Sequence, residues 1–411
     1  MSAILDRFCR YVRIDTQAQE NSGKYPSSPG QWDLARLLVK ELHEMKAFDV
    51  EITEHALVYA TIPATVMMHV VPTIAWLAHM DTSPEFSGAN VQPTIHKNYQ
   101  GGDIILKGDP SQIIRVKDCP ELNDMHGKTI ITTDGTTLLG ADDKAGVTVV
   151  MSAAAHLLAH PEIPHGKIRL CFTCDEEIGH GVDHLNPAVL GAVAGYTLDG
   201  AKTGEYEAET FSADKATITI KGVVIHPGFA KGRMVNAIKL AAEFLEKLPK
   251  DRFSPETTEG RDSFVHPVTI QGGVPEVTLR FILRSFDTAE LADQASYLRK
   301  LADEIMAKHP ESKIEVLIEK QYRNMSDGMG KEPRAIPYLE EAIHRAGLTP
   351  RKLSIRGGTD GSRLTELGVP TPNLFTSEHN IHSPLEWACL EEMQEAVNVL
   401  VELSQVWAEQ V

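Results

Sequence analysis

The sequence predicts an α/β protein with a mainly parallel central sheet and an inserted ferredoxin-like βαββαβ domain. Strand and helix candidates alternate through the first half, a pattern typical of parallel sheets with helices on their faces. The candidates between residues 211 and 325 follow the order βαββαβ. The chain has 411 residues, more than one hydrophobic core usually holds. We therefore expect a first domain made of residues 1–210 and 326–411, interrupted by a second domain at 211–325.

The first domain is predicted to begin with an amphipathic helix in "MSAILDRFCRYVRIDTQ". Strands are predicted in "TIAWLAHMD", "GKIRLCFTCDEE" and "GYTLDG", and a long helix in "DKAGVTVVMSAAAHLLAH". Each apolar strand is followed by polar residues. In open parallel sheets ligands bind beyond the carboxyl ends of the strands, so these residues are the first candidates for a site.

The second domain is predicted to open with a strand in "KATITIKGVVI" and a helix in "NAIKLAAEFLEKL". A hairpin about Gly272-Gly273 follows in "FVHPVTIQGGVPEVTLRFILRSF", because β-branched residues flank the two glycines. A helix in "TAELADQASYLRKLADEIMAKH" and a strand in "KIEVLIEKQY" complete the module. After Asn324 a helix, a strand and a helix are expected to finish the first domain.

Composition excludes several classes of protein. With 57 acidic residues against 40 Lys and Arg, the net charge is -17, which argues against a nucleic-acid-binding surface. No apolar run is long enough to cross a bilayer, and the N-terminus lacks a signal-peptide core, so a cytoplasmic protein without a membrane partner is expected. Five cysteines do not suggest a disulfide framework. Cys171 and Cys174 lie in a predicted strand and are interpreted as core residues.

Three adjacent carboxylates, Asp175, Glu176 and Glu177, end one of the predicted strands. They repel one another unless a cation lies among them, although an exposed acidic loop would look the same. His79 and Asp81, two residues apart on an extended chain, point to the same side. One could bind a metal while the other orients the imidazole, but a lone histidine at a strand end is more often structural.

Further candidates are Asp142 and Asp143 at a predicted helix start, Asp199 at a strand end, and His379 and His382 near the C-terminus. Each has a simpler interpretation; the aspartate pair, for instance, could be a helix cap. Together they supply imidazoles and carboxylates but no thiolate. That set suits two zinc ions that lie about 3.5–4 Å from each other and share one carboxylate. One further carboxylate is then left over as a general base.

The chain resembles, nearly end to end, the dinuclear zinc peptidase family that includes tripeptide aminopeptidases, aminoacylases and glutamate-releasing carboxypeptidases. The resemblance is carried by "HMDTSPEFSGANVQP", "ITTDGTTLLGADDKAG", "PHGKIRLCFTCDEEIGHG", "HPGFAKGRMVNA" and "IRGGTDGSRLTELGVPTPNLFT". It implies a zinc-peptidase catalytic domain with an inserted lid domain. It also implies that His79 and Asp199 bind one zinc ion, that Glu177 and His382 bind the other, and that Asp142 bridges both.

The same resemblance assigns the remaining roles. Glu176 would be the general base, Asp81 would orient His79, and the peptide bond after Asp142 is often cis in the family. Asp175 is expected only to shape the strand end. His379 has no role in the resemblance and is interpreted as a bystander.

In the lid domain, His226 would stabilise the oxyanion, and Asn236 and Arg284 would contact the peptide backbone or its carboxylate. Arg356 and Asp360, in "IRGGTDG", would lie near the substrate. Simpler interpretations exist here as well, since His226 precedes a proline and could be a turn residue, while Arg284 could be an exposed strand charge.

The resemblance implies an aminopeptidase that removes the N-terminal residue from tripeptides, using two zinc ions or, in vitro, cobalt or manganese. Its partner would be a small peptide. The resemblance does not decide whether the protein also forms a homodimer through the lid domain. A dipeptidase, a carboxypeptidase or a deacylase of N-acyl amino acids would need the same ligands and is the main alternative. A non-catalytic metal-binding relative is a second alternative, against which the presence of Glu176 argues.

Overall fold

A computed structural model describes residues 3–66 and 71–409 of the chain, which form both α-helices and β-strands. The helices are α1 (Ala3–Tyr11), α2 (Pro29–Glu44), α3 (Ala141–Ala159), α4 (Pro187–Leu190), α5 (Ala237–Glu246), α6 (Glu290–Lys308), α7 (Ser326–Met329), α8 (Ala335–Arg345), α9 (Asp360–Glu366) and α10 (Leu390–Glu409). The strands are β1 (Phe48–Ile52), β2 (Val58–Ile62), β3 (Ile74–His79), β4 (Thr94–His96), β5 (Ile104–Ile105), β6 (Ile113–Ile114), β7 (Ile130–Thr132), β8 (Ile168–Thr173), β9 (Ala194–Leu198), β10 (Glu205–Thr210), β11 (Ser212–Lys221), β12 (Phe264–Gly272), β13 (Glu276–Ser285), β14 (Lys313–Tyr322), β15 (Arg351–Ile355), β16 (Asn373–Leu374) and β17 (Trp387–Cys389). The first two residues of the predicted N-terminal helix lie outside the described residues.

The chain divides into two units. The first contains the described residues up to Ala208, then Gly328–Leu353 and those from Thr359 onward; the second contains Glu209–Asp327 and Ser354–Gly358. This division differs from the predicted one by two residues at each end of the insertion and at Ser354–Gly358, which the sequence assigned to the first domain. The difference has a local cause, because the Phe211 N–H donates to the Ile355 carbonyl, and both residues belong to the second unit.

The main sheet of the first unit has eight strands in the order β1-β2-β8-β3-β9-β16-β10-β15. The four strands β8, β3, β9 and β16 run parallel, whereas β1, β2 and β10 pair with their neighbours in antiparallel fashion. The predicted mainly parallel central sheet is therefore confirmed, and its antiparallel strands lie towards the edges.

Both faces of this sheet are covered. On β3, Trp76 and Ala78 pack into a core that includes residues of α1, α2, α3, α8 and α10, while Ala75 and Leu77 pack into a second core on the opposite face. Strands buried on both faces read as continuous apolar runs, which is why "TIAWLAH" shows no alternation. Cys171 and Cys174 lie in these cores, and all five cysteines are buried free thiols, as predicted for that pair.

The second unit is a four-stranded antiparallel sheet in the order β12-β13-β11-β14 with α5 and α6 on one face. The chain order of its elements is βαββαβ, as predicted. The hairpin turn lies slightly later than expected: Gly272 still pairs with Val277, so residues 273–276 connect this last pair. Among residues 3–66 and 71–409, no helix combines the length and the apolar character that a membrane span requires.

A smaller sheet of the first unit determines where the C-terminal histidines lie. In it β7 is the middle strand and pairs antiparallel with β17 and β4, so that Trp387 lies opposite Thr132. The segment that precedes β17 therefore lies beside the segment that follows β7. The first contains "EHNIHSPLE" and the second leads to Asp142, so two distant parts of the sequence meet.

Candidate metal centre

Asp142 lies between the two histidines that were predicted to be ligands. Its Oδ1 is 3.0 Å from His79 Nε2 and its Oδ2 is 3.1 Å from His382 Nε2. His79 Nε2 also lies 3.7 Å from Asp199 Oδ1, and His382 Nε2 lies 2.9 Å from Glu177 Oε2. The five residues thus form two groups, each with one imidazole and one carboxylate, joined by the two oxygens of Asp142.

This arrangement fits metal ions better than hydrogen bonds alone. Each Nε2 faces two carboxylate oxygens, yet an imidazole nitrogen carries at most one hydrogen. Glu177 Oε1 is buried and has no hydrogen-bond partner within the described chain. Ligand atoms of His79, Asp142 and Glu177 come within 4.8 Å of one another, and those of His79, Asp143 and Asp199 do so as well. Imidazole and carboxylate donors in this number suit divalent ions such as zinc.

The backbone that carries Asp142 is held by a buried carboxylate. Glu386 accepts hydrogen bonds from the N–H groups of Leu139 (2.7 Å), Gly140 (2.8 Å) and Asp142 (3.1 Å). Gly140 has φ +78°, a conformation that glycine adopts without the steric cost of a β-carbon. The peptide bond between Asp142 and Asp143 is cis. Glu386 therefore fixes the loop from which the shared carboxylate projects.

Asp143 and Gly146 bring α3 close to the end of β9. Asp143 accepts hydrogen bonds from the N–H groups of His79 (2.9 Å) and Gly146 (3.0 Å). A β-carbon on Gly146 would lie 1.8 Å from the carbonyl oxygen of Leu198, the residue before Asp199. Only glycine allows this approach, which places the helix start beside Asp199.

Asp81 connects two of the predicted motifs. Its two oxygens accept hydrogen bonds from the N–H groups of Glu176 and Glu177, each at 3.1 Å, and it is fully buried. Its Oδ1 also lies 3.4 Å from His79 Nδ1, the ring nitrogen that faces away from Asp142. One carboxylate therefore holds the backbone of the glutamate pair and lies beside the histidine.

Asp175 has a defined structural role. Its φ is +61°, and its carboxylate accepts hydrogen bonds from Ser27 N (2.7 Å), Ser27 Oγ (2.5 Å) and Gln31 Nε2 (2.6 Å). The residue thus attaches the end of β8 to the start of α2 and turns away from the metal-binding groups. The first of the three adjacent acids shapes the strand end, and the other two are left for the site.

His379 packs within the core of the first unit. Its ring stacks on Trp387 with centroids 3.8 Å apart, and its Nε2 lies 2.7 Å from Glu392 Oε2. Among the described residues, none of the groups that could hold a metal ion includes His379. His382, three residues later, has its Nδ1 3.2 Å from Glu85 Oε2, a contact similar to that of Asp81 with His79.

Burial and like charge dominate the electrostatics of the site. Burial and then Asp142 raise the pKa of Glu177 to about 8, and burial also raises the pKa of Glu176 and Asp199. Hydrogen bonds to Asp142 and Glu177 raise the pKa of His382 to about 11. Burial would raise the pKa of Asp142 as well, but its hydrogen bonds with the two histidines hold it below its usual range. The carboxylates of the site therefore outnumber its two imidazoles, and this excess of negative charge favours the binding of cations.

Four predicted substrate contacts lie in the second unit. His226 is exposed and its Nδ1 accepts from Gly228 N (3.1 Å), while Asn236 Oδ1 caps α5 by accepting from Ile238 N (2.9 Å). Arg284 donates to Gln321 Oε1 (3.1 Å) and to backbone carbonyls. Arg356 donates to the carbonyls of Gly260 and Asp262 and to Thr258 Oγ1.

The "IRGGTDG" motif is divided between the units. Arg356 belongs to the second unit and Asp360 to the first. Asp360 is buried and accepts from Thr173 Oγ1 at 2.7 Å, at the end of the strand that leads to Glu176. Burial raises the pKa of Asp360 to about 7.

Sequence reasoning missed three carboxylates: Glu85, Glu378 and Glu386. Glu386 and Glu378 flank the histidine segment and are buried, at 1% and 5% exposure. Each of these two glutamates lies four residues from His382 in the sequence, and this proximity to a predicted ligand could have marked them as candidates. What the sequence could not show is the pairing of β17 with β7, which brings Glu386 to the Asp142 loop.

A mainly parallel sheet with imidazoles and carboxylates gathered at its strand ends is typical of metal-dependent hydrolases. The family model described as "Peptidase family M20/M25/M40" matches residues 133–405. The chain belongs to this peptidase family.

Relatives agree with this placement over the whole length. A protein from Geobacillus sp. (strain WCH70) named peptidase T is 45% identical over 400 residues, which is 97% of each chain. A tripeptidase structure from Staphylococcus aureus superposes with a TM-score of 0.77 at 23% identity, covering 99% of this chain and 98% of that one. A Bacillus subtilis structure described as a dinuclear metal binding peptidase from the M20 family has a TM-score of 0.67 at 16% identity, with the same coverage. The two structures show that the fold is shared.

Proposed function

We propose that the protein is a two-zinc aminopeptidase that removes the N-terminal residue from tripeptides. The observation that carries the proposal is the 45% identity, over 97% of both chains, to a protein named peptidase T. The arrangement of imidazoles and carboxylates around Asp142 supports it independently, because the donor set suits a pair of divalent ions.

In this proposal His79 and Asp199 would hold one zinc ion, His382 and Glu177 would hold the other, and Asp142 would contribute to both sites. When bound, the pair of ions would lower the pKa of a water molecule towards neutrality and polarise the scissile carbonyl. The same donors also accept cobalt or manganese, which we expect to support activity in vitro.

Glu176 is proposed as the general base and then the general acid. It takes a proton from the attacking water as the oxygen bonds to the carbonyl carbon. It then gives that proton to the leaving amine as the C–N bond breaks. Its backbone N–H is held by Asp81, so the same carboxylate that faces His79 also positions the base. Asp81 is therefore proposed as a positioning residue.

Substrate contacts are proposed for four side chains of the second unit. The proposed roles are oxyanion stabilisation for His226 and binding of the peptide backbone or carboxylate for Asn236, Arg284 and Arg356. A guanidinium can bind a carboxylate through two parallel hydrogen bonds, which suits recognition of a short peptide by its C-terminus. We also propose that the enzyme works in the cytoplasm, where its five free thiols would stay reduced.

The proposal is tested with a matched set of substrates: a tripeptide, the corresponding dipeptide, the N-acetylated tripeptide and a tetrapeptide, each incubated with the zinc-loaded protein. Fast cleavage of the free tripeptide alone is the expected result. Cleavage of the acetylated peptide would instead indicate a carboxypeptidase or a deacylase, and preference for the dipeptide would indicate a dipeptidase. No hydrolysis of any of the four by protein that holds two metals would contradict the proposal.

A further inference from the structure

Glu378 is a buried carboxylate in the metal centre that has no role in the proposed ligand set. It is 5% exposed, and carboxylate oxygens of Asp142, Asp199 and Glu378 all lie within 4.8 Å of one another. Thr376 Oγ1 donates to Glu378 Oε1 at 2.5 Å. The Glu378 side chain therefore lies in the same pocket as Asp142 and Asp199, two of the proposed ligands.

The backbone places Glu378 beside Asp199 in a specific way. The carbonyl oxygen of Gly200, which directly follows Asp199, accepts from the N–H groups of Thr376 (2.7 Å), Ser377 (3.2 Å) and Glu378 (3.3 Å). The turn that carries Glu378 is thus wrapped around the residue after Asp199.

The residues on either side of Glu378 are attached to the core. Ser377 has φ +99°, where a β-carbon is disfavoured, and its hydroxyl group donates to Glu392 (2.8 Å) and accepts from Cys389 N (2.6 Å). His379 contacts the same oxygen of Glu392 at 2.7 Å. With both neighbours fixed, the backbone of Glu378 has little freedom to move its carboxylate away from the pocket.

Three carboxylates this close, of which Asp142 and Glu378 are buried, repel one another unless a cation lies among them. His79 Nε2 faces the carboxylates of Asp142 and Asp199, at 3.0 and 3.7 Å. Lys144, a buried cation nearby in sequence, directs its Nζ to the carbonyl oxygen of Ile14 at 2.7 Å. With Glu378 included, the Asp199 half of the site offers one imidazole, from His79, and three carboxylates. Carboxylate-rich sites suit manganese and magnesium better than sites richer in imidazole or thiolate.

We propose that Glu378 is a further ligand of the metal in the Asp199 half of the site, and that it shifts the preference of this half from zinc towards manganese. This inference rests on the proposed two-metal site. It adds a ligand on this chain that the resemblance to the peptidase family did not supply.

The test is a titration of the demetallated full-length protein with Mn²⁺, in which bound ions are counted by the loss of the EPR signal of free Mn²⁺. A parallel calorimetric titration is made with Zn²⁺. The variants are Glu378→Gln, which keeps the size of the side chain and removes its charge, and Glu378→Ser as a second, smaller replacement. Glu54→Gln is the charge-matched control, because the Glu54 side chain is 88% exposed.

We expect wild type and Glu54→Gln to bind two Mn²⁺ ions. Both Glu378 variants should bind one of the two at least about tenfold more weakly, and zinc should weaken by a smaller factor. Unchanged Mn²⁺ affinity in both variants would overturn the inference, since Glu378 would then be neutralised by a shared proton. Equal weakening of the two metals would overturn the proposed preference.

Failure of the inference can be distinguished from failure of the proposed function. Wild type that binds fewer than two ions of either metal would contradict the two-metal site itself. Wild type that binds two, with variants that match it, would contradict only the role of Glu378. Melting of the metal-free proteins by circular dichroism shows that each variant is folded. We expect the metal-free Glu378 variants to melt at a temperature no lower than that of wild type, because one repelling charge has been removed.

Discussion

Asp81 shows how much of the site depends on a single side chain. Its carboxylate accepts from the N–H groups of Glu176 and Glu177 and faces His79 Nδ1 at 3.4 Å. A carboxylate beside the outer nitrogen of a ligand histidine fixes the ring and its tautomer, and loss of such a partner commonly lowers metal affinity.

The first prediction therefore concerns Asp81→Asn. The amide keeps the size of the side chain, but its NH₂ group cannot accept the second backbone N–H, and it no longer attracts a proton on His79 Nδ1. We expect metal affinity to fall about 10- to 100-fold, measured by calorimetric titration of the demetallated protein. Asp124→Asn, at an exposed position, is the control and should bind metal as wild type does. Wild-type affinity in Asp81→Asn would show that the contact has no part in metal binding.

At the scale of single residues, the sequence predicted which side chains come together better than it predicted the contacts that hold them in place. His79, Asp142 and Asp199 were candidates from their motifs, the family resemblance grouped them as ligands, and the structure brings them together. Glu386 was missed because its partners are three backbone N–H groups about 245 residues earlier in the chain. No local pattern encodes that contact, although it fixes the loop of the shared carboxylate.

At the scale of elements, the close approach of α3 to β9 decides whether the two halves of the site meet. Asp142 comes from the start of the helix, and Asp199 follows the strand. Gly146 lies between them, since a β-carbon there would be 1.8 Å from the Leu198 carbonyl oxygen. The glycine of "DKAG" is thus required by packing, not by backbone conformation.

The second prediction is that Gly146→Ala forces α3 away from β9. We expect a loss of about 1–3 kcal/mol in the free energy of unfolding, the usual effect of overpacking, together with weaker binding at the site that Asp142 and Asp199 share. Chemical denaturation and metal titration measure the two effects. Gly330→Ala is the matched control, because a β-carbon there meets nothing within 4 Å. Equal stability of the two variants would contradict the packing argument.

Elements were predicted well where their pattern is local. The strand in "KIEVLIEKQY" has the predicted bounds, and the βαββαβ order of the second unit followed from turn residues and periodicity. Short pieces such as β16 and β17 have only two or three residues, and their sequences give no recognisable signal. These short strands form because the adjacent strands of their sheets offer them hydrogen-bond partners, and this depends on the tertiary structure and not on the local sequence.

At the scale of the whole molecule, the metal site couples binding to stability. Several buried carboxylates of the first unit repel one another, and ions that bind only the folded state stabilise it by mass action. The acidic cluster thus opposes folding in the absence of metal and contributes to stability in its presence.

The third prediction is that removal of metal by a chelator abolishes hydrolysis and lowers the melting temperature, and that added zinc, cobalt or manganese restores both. At a metal concentration 100-fold above Kd, stabilisation is about 2.7 kcal/mol for each site. Calorimetric melting with and without metal measures it, and Glu176→Gln, which keeps every proposed ligand, should show the same metal-dependent shift. Full activity after complete demetallation would contradict the mechanism.

The measurement that tests the central claim most directly is tripeptide hydrolysis by Glu176→Gln, with two bound metals verified. Glutamine keeps the size of the side chain but cannot take the proton from water. We predict a rate about 100- to 10,000-fold below that of wild type, the usual contribution of general acid–base catalysis, with Glu54→Gln unaffected. A rate equal to wild type would show that Glu176 is not the general base and that the site does not work in the way proposed.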